Sequence, residues 1–340
     1  MKISVLNPGQ SFDIKEIDQP SIEDEEILLK VNSCAICGSD LKIAKFGNKR
    51  ITEDRTIGHE ISGTIEFIGK KVKGFEVGDK VSVGADLPCH ECNYCKNGNV
   101  NLCETNFAIG YQFNGGFAEF IVLNKHVLKN GPIKKFYNVS FDEACLGEPL
   151  ACAINGVKKS LNCFAHTQPE NALIFGGGPM GLLLAEYLSY IKIKDISIAE
   201  TNPKRIEFIN NNTNFQSFHP SELSNEFFHL IFTACPVLQT HRLALKHISV
   251  GGVVNFFGGL PNDADDLSLA SNEIHYKEMV LTGSHGSTPF LHEEAIDLID
   301  TGKVNLKYLI THFFTLDKLN EAFKIASSGE GQKIIIRPNE

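Results

Sequence analysis

One stretch constrains the fold more than any other: NALIFGGGPMGLLLAE, residues 171–186. An apolar run meets three consecutive glycines, then a proline, then a second apolar run. A buried strand, a tight turn and a helix opening at Pro179 account for this order. Gly176, Gly178 and Gly181 form G-x-G-x-x-G. The first glycine permits the tight turn, the second lets a pyrophosphate approach the backbone, and the third allows close packing of helix on strand. Pro179 and Met180 open the helix, whose N-terminus favours phosphate charge. Glu200 ends the next strand, DISIAE. A carboxylate there can hold both ribose hydroxyls of NAD and would repel a 2′-phosphate, so NAD is expected over NADP. Arg205 fits stacking near an adenine. The plainer readings are a strand-end acid for Glu200 and a solvated helix charge for Arg205.

The same rhythm continues along the chain. NALIF, DISIAE, FHLIFTA and GGVVNFFGG read as strands. Helical patterns separate them at GPMGLLLAEYLSYIK, PKRIEFINNN and QTHRLALKHI. Alternation of this kind predicts a parallel, doubly wound sheet. GGVVNFFGG is expected to end that sheet as an edge strand. The first 130 residues differ. EEILLKVNSC, ISGTIEFIG and DKVSVGA read as short strands between glycine-rich turns, with no long helix and with loops carrying the chemistry. A helix at FLHEEAIDLID and a strand at KIIIRP close the chain.

PCHECNYCKNGNVNLC places Cys89, Cys92, Cys95 and Cys103 in one polar loop. Four thiolates at this spacing can close a tetrahedron around zinc with no open position, and such a metal would order a loop without a core. An iron–sulfur cluster and unrelated free thiols are the alternatives. His90 inside the loop is read as solvated. A second candidate set is Cys37, His59 and Glu60, from NSCAICGSDLK and TIGHEISGTIEFIGKKV. A catalytic zinc takes few protein ligands and keeps room for substrate. Cys37 offers a thiolate and His59 an imidazole. Glu60 offers a carboxylate, as ligand or as a neighbour, and Asp40 can accept the other imidazole N–H. Cys34 and Cys37 also form a CxxC pair, whose redox reading lacks a thioredoxin-like context.

Formal net charge is −9, which disfavours nucleic-acid and anionic-membrane partners. The first twenty residues are too polar for a secretion signal, and no apolar stretch reaches a membrane span. A cytoplasmic location is expected, with the ten cysteines mostly reduced.

Taken together, GHEISGTIEFIGKKV, the four-cysteine loop and FGGGPMG resemble the zinc-dependent medium-chain alcohol dehydrogenase family, end to end. CGSD at 37–40 and GEPLA at 147–151 resemble its sorbitol/polyol branch. The resemblance implies an α/β chain of two domains. A GroES-like β-barrel catalytic domain spans 1–147 and 286–340, and a Rossmann doubly wound domain spans 148–285, with the active site in the cleft. It implies two zinc ions per chain, one catalytic (Cys37, His59, Glu60, Glu148) and one structural (Cys89, Cys92, Cys95, Cys103). Glu148, in the EPL motif, approaches the catalytic zinc, sometimes through water. Cys145 and Cys152 flank it and are read as small buried residues. Ser39 passes the substrate proton toward the cofactor ribose. Lys42 and Ile43 stand where ethanol-type relatives end that relay with a histidine. The implied partner is a small alcohol or ketone, and the implied assembly a homodimer or homotetramer.

The segment EIHYKEMVLTGSHGSTP, residues 273–289, departs from that branch. Polyol dehydrogenases tend to carry an Arg-Tyr pair where Gly286 and Ser287 stand. His285 is assigned to the cofactor, a subunit contact or a capped loop. The expected activity is interconversion of a secondary alcohol (a polyol, sugar alcohol or sugar derivative) and its ketone with NAD. The rivals are a threonine-type amino-acid dehydrogenase and a non-enzymatic, zinc-stabilised nucleotide-binding protein.

Overall fold

The computed structural model describes residues 1–6, 11–164, 168–261 and 263–340. The chain forms two compact units, Met1–Ala151 with Gly286–Glu340, and Cys152–His285.

The second unit is a six-stranded, all-parallel sheet. Counting its strands along the chain from Asn171–Phe175 to Val280–Gly283, their spatial order is 3-2-1-4-5-6. This is the doubly wound Rossmann order, with the chain reversing direction beside the first strand. Leu173, Ile174 and Phe175 of that strand are fully buried, as are Leu230, Ile231 and Phe232 of its neighbour. Continuous apolar runs are what a parallel sheet covered on both faces requires. The strand Ile248–Phe256 lies fifth and pairs with Val280–Gly283, so it is not the edge strand expected from sequence. The true edge, VLTG, is only half-buried and four residues long, too short for its pattern to register.

The first unit is built on the strand Ile27–Ala35. It pairs antiparallel with Glu60–Ile68, with Phe120–Leu123 and with Lys333–Arg337. The last of these comes from the C-terminal segment, which carries its side chains 300 residues in sequence to the same sheet. The core beneath gathers Leu29, Val31, Ile61, Ile65, Val81, Phe117 and Ile336.

Two local features differ from expectation. The boundary between the units falls after Ala151, not after Gly147. A Cβ on Gly147 would lie 2.3 Å from Ile296, so the first turn of helix Gly147–Leu161 backs directly onto helix Pro289–Asp300 of the first unit. A nine-residue helix, Gly38–Phe46, also stands where loops were expected. Its polar sequence buries only Asp40 and Ile43, which leaves little periodic signal.

Among the described residues, no helix is long and apolar enough to cross a membrane.

Candidate active site

Strand register brings the first set together. Ala35 pairs with Glu60 and Cys34 with Ile61, so Cys37, two residues past the strand end, reaches His59 and Glu60. Gly58 has φ of +97°, and a Cβ there would meet Cys34 Sγ at 2.9 Å and the Phe117 ring at 3.1 Å. The turn that delivers His59 therefore needs glycine. Cys34 is fully buried beneath it, a packing residue and not half of a redox pair.

The ligand atoms of Cys37, His59 and Glu60 lie within 4.8 Å of one another. The His59 imidazole is buried, with a polar neighbour at each nitrogen. Nδ1 is 3.2 Å from Asp40 Oδ1, and Nε2 is 3.2 Å from Ser39 Oγ. Asp40 also accepts from the Cys37 N–H at 2.9 Å, so one carboxylate positions both candidate ligands. Burial opposes the imidazolium, but the Asp40 and Cys37 charges outweigh it and raise the His59 pKa well above its usual value. A cation bound on the other side would take the place of that proton. The Nδ1–Asp40 contact makes no well-directed hydrogen bond as it stands, leaving a buried polar pair that a metal ligand's imidazole N–H would satisfy.

Glu60 is fully buried, and both its oxygens meet Lys333 Nζ, at 2.6 and 2.5 Å. The ammonium is also buried; burial disfavours its charge, yet Glu60 and Cys37 raise its pKa. Sequence reasoning missed Lys333, because a lysine opening KIIIR reads as a strand-end charge in solvent. Glu148 lies in the same charged environment, in the first turn of Gly147–Leu161. Burial lifts its carboxyl to about 7, with Glu60 and Asp86 adding to the rise and His59 and Lys333 opposing it. Cys145 is fully buried and donates to the Asp142 carbonyl at 3.1 Å, as a packed thiol does. Tyr111 was also missed. Its ring centroid is 6.0 Å from that of His59, and its hydroxyl neighbours Ser39.

The four-cysteine loop is closed on itself. Cys89, Cys92, Cys95 and Cys103 place their sulfurs within 4.8 Å of one another, and Cys92 and Cys103 are 4.0 Å apart. A tetrahedral zinc with Zn–S of about 2.3 Å requires S···S of about 3.8 Å. Backbone N–H groups of Glu91 and Cys92 lower the Cys89 pKa to about 6, while burial and the neighbouring sulfurs lift Cys95 to about 12. The thiols thus compete for charge that a divalent cation would balance. All ten cysteines are free.

In the second unit, Gly176 has φ of +107° directly after its strand. A Cβ on Gly181 would lie 1.9 Å from the Gly176 carbonyl oxygen, so the helix Pro179–Tyr190 packs there only with glycine. A Cβ on Gly178 would meet nothing nearer than Arg205 at 3.4 Å, leaving room for a ligand above the helix N-terminus. Glu200 accepts from the N–H groups of Gly177 (2.8 Å), Thr201 (2.7 Å) and Asn202 (2.9 Å). Arg205 stands 3.8 Å from that carboxylate. Pro179 and Met180 are half-buried at the helix start. A glycine turn, a helix N-terminus and a carboxylate at the end of the next strand thus stand together, the parts that a dinucleotide cradle uses.

The first unit thus offers a thiolate, an imidazole and a carboxylate in one cluster, and the second a glycine turn at a helix N-terminus. Residues 23–132 match the alcohol dehydrogenase GroES-like domain. The chain is 29% identical to D-altritol 5-dehydrogenase of Agrobacterium fabrum over 93% of each protein. It is 27% identical to L-threonine 3-dehydrogenase of Vibrio parahaemolyticus over 98% of each. Galactitol-1-phosphate dehydrogenase from Escherichia coli superposes with a TM-score of 0.85 at 26% identity, over 99% of this chain and all of that one. Across these matches the chain resembles alcohol, polyol and threonine dehydrogenases.

Proposed function

We propose that the protein is a zinc-dependent, NAD-linked dehydrogenase that interconverts a polyol or related secondary alcohol and its ketone. The observation that carries this reading is the convergence of Cys37, His59 and Glu60, with Ser39 Oγ 3.2 Å from His59 Nε2. Cys37, His59 and either Glu60 or Glu148 would hold the catalytic zinc. Cys89, Cys92, Cys95 and Cys103 would hold a structural one. When bound, the zinc acidifies the substrate hydroxyl and NAD takes the hydride from its carbon.

The chain's own residues do the rest. Asp40 keeps the His59 imidazole oriented. The Ser39 hydroxyl takes up the proton released by the substrate and passes it outward. Lys333 balances Glu60, so that the buried carboxylate survives beside a thiolate. The Gly176–Gly181 turn receives the cofactor pyrophosphate, and Glu200 selects NAD by accepting from its ribose hydroxyls.

Two of the matched relatives act, by name, on an altritol and a galactitol phosphate, which supports a polyol. The carboxylates Asp40, Glu60, Asp86 and Glu148 outnumber Lys333 at the site, which disfavours an anionic substrate such as a phosphate ester.

The test is NADH formation from NAD with altritol, sorbitol, xylitol, galactitol, galactitol 1-phosphate, threonine and butanediol, with and without chelator. Chelator-sensitive turnover of a neutral polyol is expected. Turnover of threonine alone would move the protein to the amino-acid branch of the family.

A further inference from the structure

Three stretches of the first unit converge beside Glu148. Buried His292, on helix Pro289–Asp300, lies 3.2 Å from Ser82 Oγ. A Cβ on Gly84 would meet the same imidazole at 2.9 Å, and one on Gly147 at 3.4 Å. Gly84 leads into Asp86, Gly147 into Glu148, and Gly286–Thr288 into the helix that bears His292. Asp86 ties these stretches together. Its Oδ2 accepts from the Ser287 N–H at 3.1 Å. Its Oδ1 accepts from Asn106 Nδ2 at 2.7 Å. Gly286 adopts a φ of +62°, and a Cβ there would stand 3.2 Å from Asp86 Oδ2. Ser287 is buried, and Thr288 then caps the helix by accepting from Leu291 N–H at 3.2 Å.

Asn106 is itself placed from two directions. Its carbonyl accepts from Arg50 at 2.6 Å, and the Arg50 guanidinium stacks 4.7 Å over Tyr111, the ring beside His59. It also follows Cys103 by three residues, where the four-cysteine loop runs into the strand Phe107–Ala108. That strand pairs with Asp86–Leu87, Ala108 opposite Asp86. The cysteine loop thus closes one end of a two-stranded ribbon whose other end carries Asp86.

We propose that Asp86 is a specificity-setting positioning residue. Oriented by Asn106, it fixes the Gly286–Ser287 turn against the Glu148 side of the site, and that turn fits the substrate's hydroxyls beyond the reacting one. The assignment rests on the function proposed above for its kinetic consequence, and on hydrogen bonding alone for its structural one.

The experiment uses full-length, zinc-loaded protein with Asp86→Ala, Asn106→Ala and the exchange pair Asp86→Asn/Asn106→Asp. In the pair, the new carboxylate at 106 accepts from the new amide at 86, whose oxygen still receives the Ser287 N–H. Two readouts are taken: hydrogen–deuterium exchange of the 284–291 peptide, and KM and kcat on whichever alcohol the wild type oxidises. Asp86→Ala is expected to speed exchange in that peptide about tenfold, as loss of a charge-assisted hydrogen bond does. It should raise KM about tenfold with kcat changed less than about threefold, and alter the order of preference among polyols. Asn106→Ala should move both readouts the same way, more weakly. The exchange pair should recover both. Unchanged exchange in Asp86→Ala overturns the proposal, as does a pair no better than the single variants. If the wild type oxidises no alcohol, the function reading fails and the exchange data alone decide the assignment. Should Asp86→Ala not fold, Asn106→Ala and the pair carry the same comparison.

Discussion

The buried pair Lys333–Glu60 allows a quantitative test. The two side chains are 3% and 0% exposed, and the ammonium meets both carboxylate oxygens. Replacing Lys333 with Met keeps the length and apolar stem of the side chain but leaves Glu60 charged, buried and without its cation. Removing one partner of such a pair costs roughly 3–5 kcal/mol, because the desolvation already incurred by the other is no longer offset. Removing both charges restores an uncharged contact, so Glu60→Gln/Lys333→Met should lie within about 1 kcal/mol of wild type. The assay is urea unfolding of metal-stripped protein followed by circular dichroism, comparing midpoints at a common slope. The coupling read from the four proteins should be at least about 3 kcal/mol. A Lys333→Met protein within about 1 kcal/mol of wild type would refute the reasoning. It would mean that Glu60 is hydrated or neutral and that Lys333 is dispensable. A double variant no more stable than the single one would do the same.

Other expectations follow from the same geometry. The Glu148 carboxyl, lifted to about 7 by burial, contributes stability fully below its ordinary value near 4.5 and loses it as pH rises through 7. Between pH 5 and 8, metal-stripped wild type should therefore lose up to about 3 kcal/mol relative to Glu148→Gln, read from urea midpoints across pH. Parallel curves would show that Glu148 is already ionised at pH 5. Gly181→Ala drives a methyl to 1.9 Å from the Gly176 carbonyl, and calorimetric titration should show NADH affinity reduced at least tenfold. Glu200→Gln keeps an acceptor for the Gly177 N–H but removes the charge, so the NAD-over-NADP ratio of kcat/KM should fall about tenfold. Cys92→Ser should lower zinc content by one ion per chain, measured by atomic emission, and Cys37→Ser by the other; a single zinc in wild type would contradict one of the two assignments, and the variant that leaves the content unchanged would show which.

Legibility in the sequence followed the range of the interaction. Gly176, Gly178 and Gly181 were readable because a turn and a helix start depend on residues within six positions, and the φ of Gly176 and the contact at Gly181 are local consequences. The four cysteines were readable because their close spacing alone brings their sulfurs together. The helix at Ser39 was not, since its nine residues lean on tertiary contacts and show almost no periodic face. Nor was the edge strand VLTG, which is short and half-buried.

Sequence alone therefore determined the fold class, the glycine turn and the cysteine loop, because each is written in neighbouring residues. The tertiary structure alone decided that Lys333 sits on Glu60, 273 positions away, and that Asp86 holds the turn at Ser287, 201 positions away. The physical reason is the sheet. Strand pairing places Lys333–Arg337 against Ile27–Ala35, and that strand against Glu60–Ile68, whereas a lone lysine or aspartate has no periodicity that announces its partner. What surrounds the candidate catalytic residues is set by register and burial, and these exist only once the chain has folded.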